Sequence, residues 1–285
     1  MRLLTYNIQY GVGRDGRFDL DRVVAEILRH DPDVVGLQEV ERFWKRTRET
    51  DQPREIARRM PGYHWVYGAN LDVHAGTPED PNRRRQFGNM ILSKSPIISS
   101  RNFPLPKYGT LKQHSIQQGA LEAVVRSPKG QPVRIYCTHL SHLSPATRLP
   151  QVEMLLEINR RAYAEGGAWC GGHPDPRAGW LEGDMPPMPR EAVILGDLNF
   201  TADSEEYERI IGPMAGPYGR LVNRDGFIDC WVVAGHGEAE GDTCNGKRID
   251  YILCSAWLVD RVQSARIDQE AVGSDHRPVI ADIDL

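Results

Sequence analysis

In Val193-Ile194-Leu195-Gly196-Asp197-Leu198-Asn199-Phe200, an apolar run broken only by a glycine delivers an aspartate and an asparagine two residues apart. Side chains alternate along an extended chain, so Asp197 and Asn199 face one side and Leu198 the other. A carboxylate beside a carboxamide at the carboxyl end of a short buried strand can hold a water, a cation or a phosphate oxygen. The same pair also suits an Asx turn that merely ends the strand, and D-x-N alone does not choose between the two.

Other polar residues close or interrupt apolar runs in the same manner. Asn7 and Glu39 each end one, His139 lies near the end of another, and Asp250 sits inside residues 248–253. Asp275 and His276 precede the last apolar run, residues 279–283. Each has an ordinary alternative: Asn7 as a turn former, Glu39 as an acid at a helix start, His139 as a hydrogen-bonded strand-end histidine, Asp250 as the ion-pair partner of Arg248. Together they form a set of carboxylates, carboxamides and two imidazoles without a thiolate. Such oxygen-rich donors suit a hard cation, magnesium or manganese, rather than zinc. The 5 cysteines are odd in number and lack C-x-x-C spacing, so reduced structural thiols are expected.

Bringing these groups together requires strands whose ends meet at one edge. Residues 2–8 and 34–39 read as the first two strands. Between them, Leu20, Val23, Val24, Ile27 and Leu28 follow helical spacing, with Asp19 as N-cap and Pro32 as stop, which predicts a crossover helix over 19–31. Further strands are expected at 88–92, 96–102, 118–126, 132–140, in the run up to Asp197, at 248–253 and at 279–283, and helices at 145–163 and 204–211. Residues 71–86, polar and carrying Arg83-Arg84-Arg85, read as a long loop, as do 104–117 and 166–189; loops of this length in a compact domain more often carry function than not. The mixed charges between Glu41 and Arg59 read mostly as a solvated face, with a few basic residues of the 42–48 and 83–85 clusters expected at the rim of the site. Gly11, Gly13 and Gly16 lack the spacing of a dinucleotide-binding loop.

The 285 residues contain no linker or repeat and predict one domain, with a 40% hydrophobic fraction sufficient for a sizeable core. A formal charge of -4 argues against a uniformly basic nucleic-acid surface, though not against local basic patches. The first residues run directly into a strand, leaving no room for a signal peptide, and no apolar run approaches membrane-spanning length, so a soluble cytoplasmic protein is expected, without membrane insertion. Oligomeric state is not legible.

Thr5-Tyr6-Asn7, Leu37-Gln38-Glu39-Val40, Thr138-His139-Leu140, Gly196-Asp197-Leu198-Asn199, Arg248-Ile249-Asp250-Tyr251 and Ser274-Asp275-His276-Arg277-Pro278 resemble, in order, the motifs of the endonuclease/exonuclease/phosphatase superfamily, the DNase I-like metal-dependent hydrolases. The resemblance implies an α/β fold, a two-layer α/β sandwich of two packed mixed β-sheets with flanking helices, and a site at one edge. It implies that Glu39 is the main ligand of Mg2+ or Mn2+, assisted by Asn7 and Asp275, with Asp197 and Asn199 at the same ion. Asp197 would orient or deprotonate the attacking water, and Asn199 would hold that water or a phosphate oxygen. His276, kept in place by Asp250, would bind the phosphoryl group, and His139 would donate to a non-bridging oxygen or assist the leaving group.

His139 in Thr-His-Leu resembles DNase I, sphingomyelinases and the phosphatase branches, whereas apurinic/apyrimidinic endonucleases usually have Asn there. Tyr251 after Asp250 departs from the Arg of inositol polyphosphate 5-phosphatases. The reading is a metal-dependent phosphoesterase for a small-molecule or headgroup-like phosphate ester, with Arg84 and Arg85 as substrate contacts. The alternatives are a nuclease, for which nucleic acid is possible but not favoured, and a catalytically inactive binding module of the same fold.

Overall fold

The computed structural model describes residues 1–180 and 182–285. Its strands are β1 (Arg2–Asn7), β2 (Val34–Arg42), β3 (His64–His74), β4 (Arg84–Ser93), β5 (Ile97–Pro104), β6 (Gly119–Arg126), β7 (Pro132–His139), β8 (Ala192–Asp197), β9 (Phe227–Asp229), β10 (Asp250–Ser255), β11 (Val262–Ile267) and β12 (Val279–Ile283). The helices are α1 (Leu20–Leu28), α2 (Gln52–Arg59), α3 (Pro145–Glu165), α4 (Glu205–Ile211) and α5 (Cys230–Val233). The strands form two 6-stranded sheets, ordered β11-β12-β1-β2-β4-β3 and β5-β6-β7-β8-β10-β9. No helix among the described residues is long and apolar enough to cross a membrane.

The central strands read as nearly continuous apolar runs because both of their faces are buried. Leu3, Val34, Ile91, Ile135, Val193, Leu195 and Ile252 fill the space between the sheets. Their neighbours point outward: Leu4, Tyr6, Val35 and Leu37 pack under α1 and α2, while Tyr136, Ile194 and Tyr251 pack under α3 and α4. The expected pair of packed mixed sheets with flanking helices is the architecture found.

The sheets approach closely at Gly36, where an added Cβ would lie 2.9 Å from Leu195 Cβ and 3.2 Å from Cys137 Sγ. Gly36→Ala is therefore expected to overpack the core by about 1–3 kcal/mol. Urea unfolding measures it, and an unchanged midpoint would contradict the close packing.

Two parallel pairings set up the site. β1 runs parallel to β2 and β7 parallel to β8, each pair joined through a connection that contains a helix, α1 or α3. All four strands thus end at one edge of the sandwich. In register, Asn7 lies opposite Gln38 and His139 opposite Asp197. Antiparallel β10 starts at the same edge, which sets Asp250 opposite Asp197 on its other side.

Two expectations need correction. Residues 71–86 are not a loop: β3 and β4 pair from His64↔Ser93 to His74↔Arg84, leaving only residues 75–83 between them. The outer part of this hairpin is largely exposed, so it lacks the one-sided apolar alternation that marks a strand. The basic stretch also contains α2, capped by Asp51, whose side chain accepts from Arg54 N, with Pro at the helix start; Ile56 is its one large apolar side chain fully buried, too few for a helical period to show. Residues 104–117 are irregular past the end of β5, and the described residues of 166–189 contain only the short turn Pro176–Ala178.

Candidate active site

Glu39 reaches the site through a distortion of β2. The register with β4 slips between Leu37 and Val40, and Glu39 adopts φ 58, in the left-handed region that non-glycine residues seldom enter. A bulge of this kind re-aims a side chain that strand alternation would send elsewhere, and backbone strain of about 1–3 kcal/mol is kept where the surroundings enforce it. Asn7, at the end of the adjacent strand, donates from Nδ2 to Glu39 Oε1 at 3.3 Å and to Asp197 Oδ2 at 2.8 Å. That second bond crosses between the sheets.

Asp197 is the hub. Its Oδ1 accepts from Asn199 N at 3.0 Å, closing an Asx turn with Asn199 at φ 55. Its Oδ2 lies 3.4 Å from His139 Nε2 and 3.7 Å from His276 Nε2. The turn-forming and site-forming readings of D-x-N therefore both hold, one oxygen serving each. Asn199 Nδ2 lies 3.0 Å from both His139 Nε2 and Leu140 O. Among the described residues His139 Nδ1 has no hydrogen-bond partner, and it lies 4.0 Å from Glu39 Oε1.

His276 Nδ1 meets Asp250 Oδ2 at 2.9 Å, and both residues are buried. Burial works against an imidazolium, but the charges of Asp250 and Asp197 outweigh it and raise the pKa of His276 far above the ordinary histidine value. Asp250 is not the partner of Arg248, whose Nη1 instead binds Asp229 Oδ2 at 2.7 Å. Thr243 Oγ1 accepts from Asp250 N at 3.2 Å, and Ser274 Oγ donates to Asn7 O at 2.7 Å, tying the last loop to β1. Asp275 Oδ2 accepts from Gln9 Nε2 at 3.0 Å, and Asn7 Oδ1 accepts from Gln9 N at 3.0 Å. Residue order gives no sign of Gln9 or Thr243 as members of the site, since neither ends an apolar run or belongs to a motif.

Glu39, Asp197, Asp250 and Asp275 converge here, yet among the described residues no Lys or Arg lies within ion-pair distance of any of them. Four carboxylates face at most two imidazolium charges. Buried carboxylates left unpaired are costly, so the donor set fits a divalent cation. Asp197, Asp250 and His276 each offer a ligand atom within 4.8 Å of the others, and so do Cys244, Asp275 and His276. Cys244 is a buried thiol that no motif places near the site.

Beside Glu39 and His139 lies a cavity of about 220 Å³, walled by Tyr10, Trp44, Phe87 and Ile116 and edged by Arg46, Gln118 and His142. Burial, with His139 and His114 nearby, lowers the pKa of His142, keeping its ring neutral near pH 7. Of the two arginines expected at the substrate, Arg84 turns away and pairs with Asp72 at 2.8 Å, whereas Arg85 lies 5.5 Å over the ring of Trp44, a residue of the cavity wall, without itself lining the cavity. The arginine in the wall itself is Arg46, stacked 3.8 Å over Tyr10 and bound to Glu41 at 2.7 Å. Its one trace in the residue order is Trp44-Lys45-Arg46, an aromatic beside two cations soon after the Glu39 strand.

The profile of the Endonuclease/Exonuclease/phosphatase family matches residues 4–276. No curated protein matches the chain. Among solved structures, an endonuclease/exonuclease/phosphatase from Beutenbergia cavernae is similar at TM-score 0.65 and 22% identity, over 99% of this chain and 71% of that one. One from Bacteroides vulgatus is similar at TM-score 0.67 and 20% identity, over 100% and 98% of the two chains. A mannosyl-6-phosphatase from Bacteroides thetaiotaomicron is similar at TM-score 0.66 and 15% identity, over 100% of both chains. At these identities the likeness carries the fold.

Proposed function

The chain belongs to the endonuclease/exonuclease/phosphatase family, whose members are hydrolases acting on phosphoesters, and from that premise we propose that it is a divalent-metal-dependent phosphoesterase for a small phosphate ester, a diester in the first instance. The observation that carries the reading is the convergence of four carboxylates without a Lys or Arg partner among the described residues. Glu39, with Asn7 and Asp275, would hold magnesium or manganese, and Asp197 and Asn199 border the same space. The ion would supply positive charge against the phosphoryl oxygens.

The chain's own residues supply the rest. Asp197, anchored through Asn7 and Asn199, accepts a proton from the attacking water at its Oδ2. His276, held protonated by Asp250, donates from Nε2 to a non-bridging phosphoryl oxygen. Asn199 holds the water or an oxygen of the ester. His139, its Nδ1 without a partner among the described residues, donates to a second oxygen or to the leaving group. Donors fixed in advance and aimed at developing charge lower the barrier because they need no reorganisation as the reaction proceeds.

Substrate size is argued from charge. A nonspecific nuclease holds several phosphates on a basic track, and its affinity falls steeply with salt. Here 35 basic residues face 39 acidic ones, and the residues lining the cavity include one arginine, Arg46. Hydrolysis of methyl and p-nitrophenyl phosphodiesters, phosphomonoesters, lysophospholipids, RNA and plasmid DNA by the magnesium- or manganese-loaded protein tests the reading. Sugar phosphates belong in that panel because a neighbour of the same fold is a mannosyl-6-phosphatase. Turnover of small esters is expected; rapid plasmid degradation at physiological salt without turnover of any small ester would replace this reading by a nuclease.

The two adjacent arginines give a second expected result. Arg85→Ala should raise KM about tenfold with kcat little changed, the mark of lost ground-state binding, while Arg84→Ala should change neither more than about twofold. Equal effects from both would contradict the role proposed for Arg85 on the strength of its position over Trp44.

A further inference from the structure

Residues 272–278 carry Asp275 and His276 but form neither helix nor strand, so side chains from other elements have to fix them. One that does so is Glu26, a buried residue of α1 outside the motifs. Its Oε1 accepts from Val272 N at 2.8 Å and Gly273 N at 2.9 Å, and its Oε2 accepts from Tyr6 Oη at 2.7 Å and Gly273 N at 3.2 Å. An acid in the last turn of a helix opposes the helix dipole, and burying a carboxylate is costly, so neither α1 nor the core accounts for a glutamate here. Resting on the phosphoesterase reading, we infer that Glu26 is a positioning residue of the active site, which fixes the backbone at Val272 and Gly273 and through it the placement of Asp275 and His276.

The contacts run on from Glu26 to the reacting groups without a gap. An added Cβ at Gly273 would lie 2.5 Å from Glu26 Oε2 and 3.2 Å from Tyr6 Oη, so the absence of a side chain there is what lets the loop backbone come this close. The next residue, Ser274, donates from Oγ to Asn7 O at 2.7 Å and accepts from His276 N at 3.2 Å. Tyr6 directly precedes Asn7 on β1, so one carboxylate ties the last loop to the strand that delivers Asn7. A shift of this loop moves Asp275 away from the proposed ion and His276 away from Asp250, which it meets at 2.9 Å. Glutamine has nearly the shape of glutamate but offers one acceptor oxygen and an NH2 group that would face donors, so it cannot hold all of these N–H and O–H groups together.

Calorimetric titration of metal-free protein with manganese, alongside steady-state turnover of bis(p-nitrophenyl) phosphate, tests the inference in Glu26→Gln and in Gly273→Ala, which crowds the same contact without removing the acid. Each variant is expected to bind manganese about tenfold more weakly and to lose about tenfold in kcat, with KM changed by less than about twofold. Gly36→Ala, which overpacks the space between the sheets, is the control for lost stability alone and should leave manganese affinity and kcat within about twofold of the parent. Where Glu26→Gln does not fold, Gly273→Ala decides; failure of both to fold marks a merely structural role and overturns the inference. Parent-like manganese affinity and kcat in the folded variants, losses that Gly36→Ala matches, or no manganese binding by the parent overturn it too. Should the parent turn over no ester while both variants lose manganese affinity, the positioning role stands and the phosphoesterase reading falls. Turnover by the parent with both variants unimpaired leaves the reverse.

Discussion

Replacing Glu39 by glutamine is expected to lower turnover at least about 10³-fold while leaving the protein as stable as before or more so. The two halves of that expectation have one cause. Glu39 shares with Asp197 the Asn7 carboxamide, its one close hydrogen-bond donor among the described residues, and His139 Nδ1 lies 4.0 Å away. In metal-free protein its charge adds repulsion, so the neutral isostere relieves the folded state. If the glutamate served only to hold the bulge, its replacement would cost stability instead. Circular dichroism and thermal unfolding in EDTA, alongside turnover in manganese, separate the cases; turnover within tenfold of the parent would remove Glu39 from its assigned place.

The second large effect lies across the hub, in the Asp250–His276 pair. Asp250→Asn and His276→Ala are each expected to lose at least about 10²-fold in kcat/KM, and the double variant little more, because groups that act as one unit are grossly non-additive. The carboxylate holds Nδ1 at 2.9 Å and leaves Nε2 facing Asp197 at 3.7 Å. Asparagine keeps the contact but not the charge that sustains the imidazolium. Losses that multiply in the double variant would show the two side chains working independently.

How much of this was legible depended on which forces left a trace in the residue order. Asn7, Glu39, His139 and Asp197 were legible because two-sided burial writes strands as apolar runs, and a polar residue at the end of each is conspicuous. That they would meet was implied by the family resemblance alone; in the structure it follows from two parallel pairings that send four strand ends to one edge. The hairpin of β3 and β4 is hidden because its outer ladder is held by backbone bonds between exposed residues, which impose no apolar period. The same exposure hides the parity of Arg84 and Arg85: neighbours on a strand face opposite sides, and only the register tells which one meets Trp44. The cavity was illegible for a further reason. Tyr10, Trp44, Phe87 and Gln118 come from four separate segments, each unremarkable where it stands.

Titration of metal-free protein with manganese, followed by calorimetry and in parallel by turnover of bis(p-nitrophenyl) phosphate, tests the central claim most directly. The account predicts saturable manganese binding in the parent, its loss in Glu39→Gln, and turnover that is absent in EDTA and rises along the binding curve. Undiminished turnover in excess EDTA, or manganese binding that Glu39→Gln leaves intact, would contradict it.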